Sequence, residues 1–153
     1  MPVPFLAAIL AAPVAMTAPA ILPKDAASAR AFLQSLYRGY RKDGPGAPLG
    51  QPGLIFEPVL AAAVRKDADE AAAKGDMSKM DVDPICACQD WEAITPSFGP
   101  VTIEGDRATV TVSFVNFQEP VKLHYTLLWT RAGWRVFDIG GDEGATFRSM
   151  YLS

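Results

Sequence analysis

Apolar residues first recur at helical spacing between positions 26 and 42. Phe32, Leu33, Leu36, Tyr37 and Tyr40 follow at steps of three and four, while Arg30, Gln34, Arg38 and Arg41 fall on the opposite side. With Asp25 placed to cap it, this pattern predicts an amphipathic helix over residues 26–42. Residues 43–53 hold so many Gly and Pro that they form a loop. A second helix is predicted over residues 58–74, because Pro58 suits a first helical turn and Gly75 stands as its terminator. Its apolar stripe is Val59, Leu60, Ala63 and Val64, and its later half, mostly Ala and charge, faces water.

From Pro100 onward the period falls to two. Residues 101–104 lead into the tight-turn pair Gly105-Asp106, and residues 107–117 follow with Ala108, Val110, Val112 and Phe114 on one face. Residues 121–131 set Leu123, Tyr125, Leu127 and Trp129 against Lys122, His124, Thr126 and Thr130. Ala132-Gly133 then turns the chain into residues 134–139. Residues 140–144 are a loop and residues 146–152 a terminal turn of helix. Helices first and antiparallel strands afterwards predict an α+β domain. Strands near ten residues long suit N-terminal helices packed on a strongly curved sheet of about four strands.

The opening of the chain stands apart. Of 153 residues, the first charged one is Lys24, and residues 1–22 are an uncharged apolar run ending in small residues. This is the composition of a secretory signal peptide; Ala18-Pro19-Ala20 places cleavage after Ala20, leaving residues 21–153 as one domain. Pro4 and Pro13 interrupt the run, so a spanning anchor fits it poorly, and no later stretch reaches spanning length. The expected compartment is therefore periplasmic or extracellular, with no stable membrane anchor after cleavage. Lys+Arg 14 against Asp+Glu 17 gives a net charge of −3, which lacks the basic footprint of a nucleic-acid binder. Half the residues are hydrophobic and a fifth charged, as in a folded globule.

Several short features together point to a family. Two helices, then Asp83-Pro84 with Gln89-Asp90, a long hairpin, and the strand Trp134-Arg135-Val136-Phe137-Asp138-Ile139 follow in that order. The chain so resembles the bacterial exported proteins grouped as domain of unknown function 3828. That resemblance, over residues 26–152, implies the cone-shaped fold shared by nuclear transport factor two, ketosteroid isomerase and cystatin-like proteins. Asp83, Pro84, Gln89, Asp90, Trp134 and Asp138 are the positions it carries over. It implies no established activity. Enzymes of this fold place an acid, often with a Tyr, at the bottom of the cone, and no local motif here assigns that pair.

The segment 77–90 concentrates Met77, Met80, both cysteines and Asp81, Asp83 and Asp90. Three readings compete for it. Two cysteines in an oxidising compartment pair, but one intervening residue makes the Cys86–Cys88 ring very small and demands a local turn, since an extended strand does not bring the sulfurs together. Reduced thiols, buried or redox-active, are the second reading. The third is a soft-metal set for a cuprous ion, formed by Met-x-x-Met and Cys-x-Cys with His124 at a distance. Zinc lacks four ligands, and Asp76, Asp81 and Asp83 lack calcium-loop spacing, so neither a metal nor a cofactor is expected.

Asp138 interrupts the apolar end of the last strand, following Trp134 and Val136 on one face. It is either a carboxylate at a pocket floor or one that binds backbone N–H groups near Gly140. Asp90 beside Trp91 reads as a cap and His124 as a solvent-facing residue. No Gly-x-Ser-x-Gly, phosphate-binding loop or His-Glu-x-x-His is present. The sequence therefore predicts a non-catalytic binding protein, monomer or homodimer, for a small apolar ligand or a protein partner. Tyr37, Tyr40, Tyr125, Trp129, Trp134 and Asp138 are its candidate pocket residues, with Phe114 as a further core or pocket aromatic. The alternatives are an isomerase or dehydratase using Asp138 or Asp90 as base with a Tyr, and envelope copper or thiol handling through Cys86 and Cys88.

Overall fold

The computed structural model describes residues 22–153; the expected signal segment, residues 1–20, lies outside the described residues. Two helices precede the sheet. Helix α1, Ala26–Tyr37, begins at a capping box in which the Asp25 carboxylate accepts from the Ser28 N–H and the Ser28 hydroxyl oxygen accepts from the Asp25 N–H. It stops five residues before the predicted end. At Gly39 the chain crosses Gly46 so closely that a Cβ would lie 2.0 Å from the Gly46 carbonyl oxygen, and the Gly46 N–H donates to the Gly39 carbonyl. Only glycine permits that approach, and the loop needs it to fold back under Tyr40, which is itself buried.

Helix α2, Pro58–Lys74, has the predicted bounds, with Gly75 left-handed at its C-terminus (φ 71°). Its buried side differs from the expected stripe. Leu60, Ala61 and Val64 point inward while Val59 is 57 % exposed. The cause is the buried N-cap Glu57, which accepts from the Val59 and Leu60 N–H groups and so sets the rotation of the first turn.

Among the described residues the sheet is antiparallel and open, with five strands where about four were expected. They are β1 (Ser97–Phe98), β2 (Thr102–Glu104), β3 (Arg107–Asn116), β4 (Glu119–Thr130) and β5 (Gly133–Gly140). The order is β1-β3-β4-β5, and β2 also pairs with β3. Strands β1 and β2 are thus two pieces of one edge strand, broken where Pro100 has no N–H to offer. The far edge, at β5, is closed by Phe56, which bridges to Val136. Helix α3, Phe147–Tyr151, supplies the predicted terminal turn.

The core lies between α1, α2 and one face of the sheet. Ala108, Val110, Val112, Phe114, Leu123, Tyr125, Leu127, Trp134 and Val136 are buried there against Leu33, Leu36 and Leu60, as alternation predicted. The alternation breaks once. Thr126 pairs with Asp138 but Leu127 pairs with Val136, so Phe137 is an extra residue in β5. This bulge turns Ile139 to the core and aligns Asp138 with Thr126, off the face it was expected to share with Trp134 and Val136. Phe137 is left between two guanidinium groups, Arg107 and Arg148, each 3.8 Å from its ring centre.

Candidate functional site

The predicted site residues separate into three places. Tyr37 and Tyr40 on and after α1 and Tyr125 on β4 meet beneath the cysteine loop. Tyr37 donates to the Ile85 carbonyl at 2.8 Å and therefore takes its second hydrogen bond, 2.8 Å from the Tyr125 hydroxyl, as acceptor. Tyr40 donates to Asp83 Oδ2 at 2.5 Å. Burial, above all, raises the ionisation of Tyr37, Tyr40 and Tyr125 far above the usual phenol range, so all three stay protonated. Asp83 also accepts from the Ile85 N–H, yet burial outweighs these donors and pushes its carboxyl up.

The loop over this cluster makes the turn that a small ring requires. The Cys86 and Cys88 sulfurs are in bonding contact, with Cα atoms 5.1 Å apart. Ala87 between them is left-handed (φ 50°), and Asp83 and Cys88 exchange backbone hydrogen bonds at 3.0 and 3.3 Å. Cys86 is fully buried and Pro84 half-buried, while Gln89 and Asp90 are exposed. Met77 is 85 % exposed and Met80 packs against the core. Among the described residues no group of three or more His, Cys, Asp or Glu converges as a metal set.

Trp129 and Trp134 lie elsewhere, edge to face with ring centres 5.1 Å apart, and Trp134 Nε1 donates to Ser28. Asp138 lies in a third place. Its Oδ1 accepts from the Ile139 N–H at 2.8 Å and from the Arg148 N–H at 2.9 Å, so it ties the first turn of α3 to the sheet. His124, on the outer face as expected, bonds Thr111 and Asp142. Among the described residues the Asp90 side chain makes no capping hydrogen bond, and it is the Asp90 carbonyl that accepts from Asn116.

Two features escaped the sequence reading. One is a buried ion pair: Glu57, 3 % exposed, receives Arg148 Nη1 at 2.6 Å. Burial alone would raise its carboxyl, but the Arg148 hydrogen bond and the two N–H donors outweigh that and hold it low. The other is the connection between β3 and β4. Asn116 pairs directly with Glu119, so Phe117-Gln118 is a two-residue turn, and both residues have positive φ (47° and 69°), as a type I′ turn demands. Asn-Gly would have announced that turn; Phe-Gln gave no such signal. Phe117 is 50 % exposed and Val115 57 %. They border the largest surface hollow among those described, an open trough of about 990 Å³ along the outer sheet face. It lies between the hairpin and the segment carrying Glu92 and Thr95. Asn116 holds the tip in place, accepting from the Glu92 N–H and donating to the Asp90 carbonyl. Lys122, the one cation lining the trough among the described residues, is paired with Asp142 at 2.8 Å, which leaves Glu92 to make it acidic.

No protein-family model and no curated protein matches the sequence. Among solved structures, a chain of the type VI effector–immunity complex Tae3–Tai3 from Ralstonia pickettii has a similar fold. The native complex gives 22 % identity and a TM-score of 0.51 over 78 % of this chain and 95 % of that one. Its selenomethionine form gives 22 % identity and a TM-score of 0.52 over 78 % and 97 %. A phospholipid-binding protein from Ralstonia solanacearum is similar over 62 % of this chain and 49 % of its own, at 20 % identity and a TM-score of 0.39. That last likeness is too loose to bear on this chain. Among the described residues no helix is long and apolar enough to cross a membrane.

Proposed function

We propose that this is an exported, non-catalytic protein that binds another protein through the tip of its β3–β4 hairpin. The signal-like segment at residues 1–20 and the resemblance to the exported family of unknown function support the compartment. In that compartment the Cys86–Cys88 contact is an oxidised bridge. The observation that carries the binding reading is Phe117. An aromatic side chain half exposed on a left-handed backbone costs twice, once in hydration and once in conformation; the type I′ turn needs the conformation but not the phenyl ring, which Asn or Gly would replace with less strain. Exposed aromatics held on a rigid support are the anchors of protein interfaces. The fold likeness to a chain found in a protein–protein complex agrees with this use. An isomerase-type site draws less support, because the Tyr40–Asp83 pair is occupied in holding the cysteine loop and Asp138 in holding α3.

The test is a photo-reactive phenylalanine analogue placed at position 117 and, as control, at the exposed Val59, in cells that export the protein. A discrete protein adduct formed at 117, absent at 59 and weakened by salt, is the expected result. Equal labelling from both positions, or none from 117, contradicts the proposal.

A further inference from the structure

At the opposite end of the sheet, by the β4–β5 turn, two arginines converge on one small cleft. Phe56, Pro58 and Ala61 give it an apolar floor, Arg65 and Arg135 line it, and its volume is about 260 Å³. Arg135 donates from Nε to the Gly53 carbonyl and from Nη1 to the Ala132 and Trp134 carbonyls. A guanidinium has five N–H donors, so both donors of Nη2 remain over. Arg65 reaches the same point from α2: its Nη2 is 3.9 Å from where a Cβ on Gly53 would lie. Neither arginine enters an ion pair among the described residues. Partial burial makes the charge of Arg135 harder to keep, which its ordinary surface counterparts do not suffer. The nearest buried carboxylate on the same segment, Glu57, is already neutralised by Arg148.

Two like charges brought together over an apolar floor, with guanidinium donors to spare, are matched by one chemistry. We infer that the cleft bounded by Arg65 and Arg135 binds a small organic carboxylate, its acid group on the guanidiniums and its apolar body on Phe56, Pro58 and Ala61. The planar guanidinium of Arg65 can take a carboxylate in two parallel hydrogen bonds, which Lys could not, and Arg135 adds a donor from Nη2. The volume holds a single-ring or short-chain acid and is too small for a folded peptide segment. This site is independent of the hairpin tip, and neither proposal falls with the other.

The probe is benzoate, titrated into the purified full chain and followed by calorimetry. Wild type binds benzoate, Arg65→Gln weakens it at least tenfold, and neutral benzyl alcohol and bare acetate both bind at least tenfold more weakly. Arg135→Gln also weakens it, but Arg135 supports three carbonyls and its loss can unfold the loop. Arg65 makes no side-chain hydrogen bond among the described residues, so Arg65→Gln decides the matter in a folded protein. Absence of benzoate binding overturns the inference, as does an unchanged affinity in Arg65→Gln. Benzyl alcohol binding as tightly as benzoate removes the charge recognition, and acetate doing so removes the apolar half; either result overturns it as well.

Discussion

Among the described residues three turns put non-glycine residues in the left-handed region; one holds Asp43 (φ 58°), a residue type that tolerates it, and the other two differ in what surrounds the cost. At Ala87 (φ 50°) the turn closes the Cys86–Cys88 contact, pairs Asp83 with Cys88, and presents the Ile85 carbonyl and the Asp83 carboxylate to three buried tyrosines. Each left-handed residue costs about 1–2 kcal/mol, and here the neighbouring bonds offset it. At Phe117 and Gln118 (φ 47° and 69°) the same cost is incurred twice, while both side chains face water. Asn116 beneath them ties the hairpin to the Asp90–Glu92 segment through its own side chain, but those bonds do not involve Phe117 or Gln118. Strain that the chain itself offsets belongs to its architecture, and strain that it leaves standing is the ground for the binding proposed at the tip.

The contrast can be broken at several points. The largest effect is expected from Tyr125→Ala, which removes a 1 % exposed ring and the partner of Tyr37; about 3–5 kcal/mol of stability should be lost in urea unfolding. Replacing both cysteines by serine opens a ring of only three residues, and a loss of about 1–2 kcal/mol is expected because short loops constrain the unfolded chain least. Addition of reductant to the wild type should reproduce that loss, and neither treatment should alter partner binding at the tip.

A smaller, pH-limited effect separates the two buried carboxylates. Asp83 has its folded-state carboxyl raised above its ordinary 3.8 by burial, which outweighs the hydrogen bonds from Tyr40 and the backbone. The unfolded chain therefore ionises first, and stability falls as pH climbs from 3.8 toward the raised value. Asp83→Asn should flatten that decline in a series of thermal melts. Glu57 runs the other way. Burial would raise it, but Arg148 and the N-cap donors win and lower it, so its contribution is present above its ordinary 4.5 and fades as pH falls through the lowered value. Glu57→Gln should remove stability at neutral pH and lessen the acid sensitivity. The smallest change belongs to Phe117→Ala, which should move stability by less than about 0.5 kcal/mol, as surface substitutions do, while abolishing the adduct formed by a photo-reactive residue placed at Gln118 instead.

The sequence made the framework legible because period and punctuation agree in it. Pro58, Gly75 and the alternation of residues 107–131 each act locally, and the structure keeps them. What it concealed depends on contacts far along the chain. Helix α1 ends early because Gly46 packs on Gly39, and Asp138 leaves its expected face because one inserted residue, Phe137, can be seen only once β4 and β5 are paired. Tyr37, Tyr40, Tyr125 and the cysteine loop were each noticeable singly, yet nothing in their spacing foretold that they share one network. Phe117-Gln118 was silent for a different reason: the residues that usually signal its turn are the ones it lacks.

The tip can be interrogated without knowing what it binds. Substituting Phe117→Asn together with Gln118→Gly gives the type I′ turn the residues it favours. Urea unfolding of that variant should show a gain of about 1 kcal/mol over wild type, since the left-handed backbone no longer opposes folding. A variant no more stable than wild type would mean that Phe117 and Gln118 are already repaid within the chain, and the hairpin tip would lose its claim to be a binding element.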